Sequence, residues 1–253
     1  MKLTTVLGSV NDNKDYYLFI PKQIKFWSLF NIKFIAIYVG DKIPVELKEY
    51  EKNIILWSKN KNLKSAYIAQ NIRIYYPALL SLPDDEMVMI TDMDMLPTNS
   101  SYYKDGLDKY NKQDFIYYRN IDIQEKQIYM CYNAAHPSLW SKLFKINNED
   151  DIESILNLNY EQNYTGIPGD KGWYIDQIIL YNTLTTYPYL RVLERPINRI
   201  EMYMLPNFMH QYKLNKYFGK NICNYFHDAH FHRSYTNNIK NIEFIEKIVT
   251  SPL

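Results

Sequence analysis

Met87-Val88-Met89-Ile90-Thr91-Asp92-Met93-Asp94-Met95-Leu96-Pro97 is an apolar run that ends in two carboxylates one residue apart. The near-continuous hydrophobicity of Met87 to Ile90 predicts a strand buried on both faces, and Pro97 argues against its continuing in the middle of a sheet. Side chains alternate along an extended chain, so Asp92 and Asp94 are expected to share a face and Met93 to point the other way. Both acids then stand at the carboxyl end of a strand, the edge at which open α/β sheets bind ligands. Each alone also reads as a turn former or a helix cap. Among Met, Val and Ile, however, an unpaired carboxylate costs several kcal/mol unless it reaches an open edge or a cation. Hard oxygen donors suit Mg²⁺ or Mn²⁺ held together with phosphates.

Working outward, strand and helix signals alternate. Leu3 to Val10 reads as a first buried strand closed by Asn11-Asp12-Asn13, a helix is expected from Pro21 to Phe30, and Lys33 to Val39 gives a second strand. Asn53 to Trp57 is a short third strand, and Leu63 to Leu80 a helix carrying Arg73 among apolar neighbours. Beyond the acidic pair a helix is expected over Asp105 to Tyr110 and strands over Asp114 to Tyr118 and Gln127 to Tyr132. Helices follow at Ser138 to Phe144, around Ile152 to Leu158, at Tyr174 to Leu184 and at Asn238 to Val249. This alternation is the α/β signature.

The 253 residues carry 29 basic and 28 acidic side chains, so nothing suggests a surface for nucleic acid. No stretch approaches the ~20 apolar residues of a membrane span, and the first residues are too short an apolar run for a signal peptide. A soluble, cytoplasmic protein is expected. Cys131 and Cys223 are too far apart in sequence to read as a disulfide framework or a paired zinc motif.

Three other stretches carry chemistry. Three of the five histidines, His227, His230 and His232, fall within the segment Tyr225 to Arg233. His230 and His232 share a face if it is extended, His227 and His230 if it is helical. One of them joining Asp92 and Asp94 favours Mn²⁺ over Mg²⁺, because imidazole is the softer donor. Thr165 to Trp173 holds three of the seven glycines, which marks a loop with unusual backbone angles, suited to a flap. Asp176 follows it in the first turn of a helix, where an acid is favourable for the helix alone. Arg73 reads either as a surface side chain with its head in water or as a guanidinium turned toward the ligand edge.

In this order the pieces resemble a GT-A-type glycosyltransferase, a nucleotide-diphospho-sugar transferase with a DxD motif at Asp92-Met93-Asp94. The resemblance runs from the first strand through the helix with Gln70 and Arg73, the Asn133-Ala134-Ala135 segment and Trp173 to Gln177, to the histidine region. It implies one Rossmann-like domain over 1–253, a mixed, mostly parallel sheet flanked by helices, with a nucleotide-binding half at 1–97 and the acceptor side and a C-terminal metal-ligand segment at 98–253. It implies a UDP- or GDP-sugar donor, a hexosyl or deoxyhexosyl transfer, and a glycan or other hydroxyl acceptor. Val10 and Asn11 would line the nucleoside, Arg73 would help hold it, and Lys220 or Arg233 would meet the diphosphate. Asn133 and Ala134 would sit beside the donor sugar. Asp92 would lie near ribose and metal, Asp94 would bind the metal, and His230 would be the third ligand, with His227 or His232 as substitutes. Asp176 would be the catalytic carboxylate. Two other readings of the same residues are a metal-dependent phosphoesterase or nuclease and a carbohydrate-binding protein without turnover.

Overall fold

A computed structural model of the chain describes residues 1–167, 169–196, 198–201, 225–232 and 234–250. β1 (Lys2–Asn11), β2 (Lys33–Val39), β3 (Ile54–Trp57) and β4 (Glu86–Ile90) lie where the apolar runs predict and pair in parallel, in the order β3-β2-β1-β4. Val6, Leu7, Ile37, Val88 and Met89 are sealed from solvent. Both faces of β1, β2 and β4 are covered, hence the continuous rather than alternating hydrophobicity, whereas β3 is the edge strand and leaves Leu56 exposed. After Asp94 the chain turns out of the sheet into β5 (Met95–Pro97). β6 (Phe115–Tyr117), β7 (Asn133–Ala135) and β8 (Leu190–Val192) complete a seven-stranded sheet, β3-β2-β1-β4-β7-β6-β8, in which only β7 is antiparallel to its neighbours. β9 (Arg199–Glu201) and β10 (Asp228–His230) join β5 in a second sheet of order β5-β10-β9. The architecture is therefore a mixed, mostly parallel α/β sheet.

The helices are α1 (Lys14–Tyr17), α2 (Ile20–Ser28), α3 (Ser65–Ile72), α4 (Ser100–Lys104), α5 (Pro137–Phe144), α6 (Glu149–Leu158), α7 (Ile175–Leu184) and α8 (Tyr235–Thr250). One face of the large sheet packs Leu7, Val88 and Tyr117 against Ile68, Ile72, Trp140, Leu156 and Leu180. The other packs Val6, Phe34 and Met89 with Ile20, Trp27 and Tyr103. A third cluster seats α8, through Ile242 and Ile245, on Phe19, Phe26 and Phe231, against the small sheet.

Four expectations need correction. The helix expected to run to Leu80 ends at Ile72, and a 3₁₀ turn covers Tyr76–Leu79. Pro77 is the cause, since its ring collides with the carbonyl of residue 73 in a continuous helix and it has no N–H to donate. The helix expected at Asp105 to Tyr110 lies earlier, at Ser100–Lys104, where Asn99 caps it by accepting from the Ser101 N–H; Gly106 then takes φ +70° and turns the chain away. Gln127 to Tyr132 is not a strand: only a bridge from Gln127 to Asp122 forms, and the strand is Asn133–Ala135. The helix α1 after Asn13 was not anticipated; Asn13 caps it through the Asp15 N–H.

Candidate active site

β4 stops at Ile90, and Asp92, Met93 and Asp94 form the turn that follows, so alternation along a strand does not set their directions. Two devices hold this turn. The buried Gln23 of α2 donates from Nε2 to the carbonyls of Met93 and Met95, at 2.8 Å each, while its Oε1 accepts from the Trp27 indole. The Met93 side chain plugs inward against β1, where a Cβ on Gly8 would stand 2.9 Å from its sulfur. Gly8 is thus the gap in β1 that lets the turn seat, and both carboxylates open onto one cleft of about 600 Å³.

The floor of this cleft is the carboxyl edge of the parallel strands: Val10 and Asn11 from β1, then Asp92 and Asp94. Asn11 donates from Nδ2 to Ser65 Oγ at 3.2 Å, joining β1 to the start of α3. Arg73, which caps α3, is buried and turned to the ligand edge. It donates to the carboxylate of Asp92 and, at 3.2 Å, to the Thr91 carbonyl, and its other nitrogen lies 3.5 Å from Asp176 Oδ2. Burial works against the charge of Asp92, but the guanidinium outweighs it and holds this carboxyl below its usual range.

Asp176 opens α7 and is 1% exposed. Its Oδ1 accepts from the Gln177 N–H at 2.8 Å, while Oδ2 is buried with no hydrogen-bond partner. Burial pushes its pKa up to about 6, against the pull of Arg73. Gln70 of α3 clasps the glycine-rich loop that leads into α7: its Nε2 donates to the Trp173 carbonyl and its Oε1 accepts from Tyr164 at 2.8 Å. Gly166, Gly169 and Gly172 all have positive φ. At Gly172 a Cβ would also press on Tyr164 and Glu161, at 3.2 and 3.3 Å.

The histidines separate. β10 pairs antiparallel with β5, setting His230 opposite Met95, and the Phe231 N–H donates to the Asp94 carbonyl at 2.8 Å. His230 Nε2 therefore faces Asp94 Oδ2 at 3.6 Å, while Nδ1 lies 2.8 Å from Glu201 on the adjacent β9. Burial opposes a charge on this ring, but hydrogen bonds to Asp94 and Glu201 prevail and raise its pKa to about 10. His227 points away from the cleft, stacked on Tyr102 at 3.9 Å and 3% exposed, with its pKa lowered to about 4 by burial. It is thus no substitute for His230, whereas His232 lines the cleft.

Of the other expected residues, Asn133 and Ala134 are fully buried within β7 and open no surface to the cleft. Asn133 instead donates from its amide to the carbonyls of Tyr129 and Met130, so that Tyr129, Met130 and Cys131 form the wall there. Lys220 and Arg233 lie outside the described residues, as does Cys223. Sequence reasoning included Gln177 in the resembling stretch but gave it no role, whereas it lines the cleft with a buried, unpartnered Oε1; Glu201, Gln23 and Arg119 it missed. Among the described residues no three His, Cys, Asp or Glu side chains stand close enough together to enclose a metal ion. No described helix is long and apolar enough to cross a membrane.

No protein-family model matches the sequence, and no curated protein matches it. Solved structures do. The glycosyltransferase GlyE of Streptococcus pneumoniae TIGR4 superposes with a TM-score of 0.52 at 12% identity over 98% of this chain, which spans 62% of the length of GlyE. An active-site mutant of LgtC superposes with a TM-score of 0.51 at 10% identity, over 99% of this chain and 98% of LgtC. These likenesses establish the fold: the chain has the GT-A-type architecture of these glycosyltransferases.

Proposed function

We propose that this chain transfers a sugar from a nucleoside-diphosphate sugar to an acceptor hydroxyl, with Mn²⁺ or Mg²⁺ as cofactor. One observation carries the reading: Asp94, His230, the Arg73–Asp92 pair and Asp176 meet in a single cleft at the carboxyl edge of a parallel sheet. A phosphoesterase or nuclease built on three histidines is disfavoured by His227, which is buried against Tyr102 and does not line the cleft.

The donor set fits a cation that arrives with phosphates better than one caged by protein alone. Asp94 and His230 would supply two facing donors, the ring giving up its Nε2 proton to the solvent as the cation binds, and Glu201 fixes the ring from behind, as carboxylates do for metal-bound imidazoles. Asp92 spends one oxygen on Arg73, so diphosphate oxygens would complete the shell. When bound, the cation supplies positive charge against the negative charge that builds on the departing diphosphate.

The chain's own residues do the rest. Val10 and Asn11 line the nucleoside end, and Arg73 orients Asp92 and Asp176 with one guanidinium. The anomeric carbon loses its bond to the diphosphate oxygen, which leaves with the electron pair, and gains a bond to the acceptor oxygen. In an inverting transfer Asp176 takes the acceptor's proton, a task that suits a carboxyl whose pKa is raised to about 6. In a retaining transfer the acceptor's proton passes to the departing diphosphate oxygen, and Asp176 and Gln177 accept hydrogen bonds from sugar hydroxyls instead. The anomeric configuration of the product, read by NMR, decides between these roles.

The direct test is a thermal-shift screen of nucleoside diphosphates and their sugars with and without Mn²⁺. At least one should raise the melting temperature only when Mn²⁺ is present, because a ligand of the folded state alone stabilises it. The shift should vanish in Asp94→Asn and His230→Ala. A screen in which none of these ligands stabilises the wild-type protein with Mn²⁺ removes the proposal.

A further inference from the structure

The wall of the cleft farthest from β1 carries a guanidinium that the reaction above does not use. Arg119 lies just beyond the end of β6 and lines the cleft. Its contacts are Cys131 Sγ, 3.3 Å from Nη1, and the Tyr129 ring, whose centroid is 4.4 Å from the guanidinium carbon. Tyr129 is itself fixed, its hydroxyl donating to Asp122 at 3.1 Å. The Arg119 Nε is buried with no hydrogen-bond partner. No carboxylate among the described residues pairs with it, whereas three of the other four described arginines have one. Arg73 has Asp92 and Asp176, Arg191 has Asp114, Arg199 has Asp228, and Arg195 donates to the Asp105 carbonyl.

Arg119 is half-buried, and sealing its Nε from water with no acceptor is costly, a cost that a thiol and a ring face repay little of. Its planar fork matches a carboxylate or a phosphate. The strand order says which part of a ligand would bring that anion. β6 runs parallel to β4 with β7 between them, so the two carboxyl ends open on the same edge, roughly 10 Å apart at ~4.8 Å per strand. The nucleoside end, at β1, lies on the other side of β4. Arg119 therefore stands on the sugar and acceptor side, next to Tyr129 and near the start of α7, where the Ile128 N–H bonds the Gln177 carbonyl.

We propose that Arg119 seats a carboxylate or phosphate group carried by the acceptor, which makes the acceptor an anionic sugar. This rests on the transferase reading for which end of the cleft receives the acceptor.

The test uses the full chain and three probes: methyl glucuronide, glucose 6-phosphate and neutral methyl glucoside. Affinities are titrated by NMR, with the Arg119 Nε–H signal as local reporter, with and without UDP and Mn²⁺. One anionic probe should bind at least about tenfold tighter than methyl glucoside, as a charge-assisted pair allows. Whether it is the glucuronide or the phosphate identifies the anion. Arg119→Gln should abolish the preference and Arg119→Lys should keep part of it; if the Gln variant does not fold, the Lys variant and the wild-type titration decide. Equal affinity for the three probes, no binding of any, or a preference that survives Arg119→Gln overturns the proposal. So does displacement of the anionic probe by UDP with Mn²⁺, which would give Arg119 to the diphosphate. An Arg119-dependent preference in a protein that binds no nucleoside diphosphate overturns the transferase reading and leaves the anion site standing.

Discussion

Asp176 is the residue on which chemistry and stability pull apart. Its carboxyl is raised from 3.8 to about 6 in the fold, chiefly by burial. Between those values the folded chain binds more protons than the unfolded one, so this group's contribution to stability is greatest in acid and falls as pH rises from about 4 to 6. The full penalty above pH 6 is on the order of 3 kcal/mol at most. Asp176→Asn should therefore melt several degrees higher than wild type at pH 7.5, with the gap closing toward pH 4. In the same variant, sugar transfer should fall by about two to four orders of magnitude if the residue is a base, with Mn²⁺-linked donor binding kept. Melting curves across pH with one transfer assay check both; an unchanged transfer rate returns Asp176 to a helix-terminal role. At this scale the sequence exposed the acids well, because Asp92, Asp94 and Asp176 interrupt apolar or glycine-rich stretches. It could not sort the histidines. In a strand of three residues the side facing Asp94 is set by pairing with β5, far away in sequence, and Glu201 becomes visible only once β9 lies beside β10.

At the scale of elements, the parallel strands β1, β2 and β4 were legible because burial on both faces leaves an unbroken apolar signature, and the edge strand β3 because Ile54-Ile55-Leu56-Trp57 is apolar throughout. β7 was not, since Asn133-Ala134-Ala135 has no β-branched or large apolar side chain and sits in the sheet by virtue of β4 and β6 on either side. The end of α3 is misplaced at Leu80 when Pro77 is not weighed, and the true end matters: it leaves Arg73 at a helix terminus, where its side chain reaches both Asp92 and Asp176. The glycine-rich loop depends on another side chain of α3. Gln70→Ala removes the donor to the Trp173 carbonyl and the acceptor for Tyr164, so the loop loses its clasp while β1 and the Asp92–Asp94 turn are untouched. Amide hydrogen exchange over residues 165–174 should speed up, with the melting temperature lowered by ~2–4 °C if the two bonds are worth about 1 kcal/mol. KM for the acceptor should rise, with Mn²⁺-linked UDP binding changed less than about twofold. An equal loss of UDP binding would show that the loop serves the donor.

On the scale of the whole molecule, the cleft depends on a small sheet whose strands come from three separate parts of the chain. β10 brings His230 to Asp94, and a buried charge network fastens it. Arg199 of β9 pairs with the fully buried Asp228 through both carboxylate oxygens, Tyr132 donates to the same carboxylate, and Tyr103 donates to the His227 carbonyl at 3.0 Å. Burial disfavours the charge on Asp228, yet Arg199 keeps its carboxyl below the usual range, so the pair is ionised at neutral pH. Such a pair adds little over well-packed apolar residues, but removing one partner strands the other charge in the core at a cost of about 3–5 kcal/mol. Arg199→Met should therefore lower stability by that amount and weaken Mn²⁺-linked UDP binding, because the strand carrying His230 is no longer fixed. Adding Asp228→Asn removes the stranded charge and should recover a large share of the stability, giving a coupling well above the ~0.5 kcal/mol expected of independent sites. Denaturant melts of the wild type, the two single variants and the double variant measure this coupling. Additive single effects would mean that Arg199 and Asp228 act independently, and the hold on His230 would then have to come from the apolar seat of Phe231 and α8 beneath it.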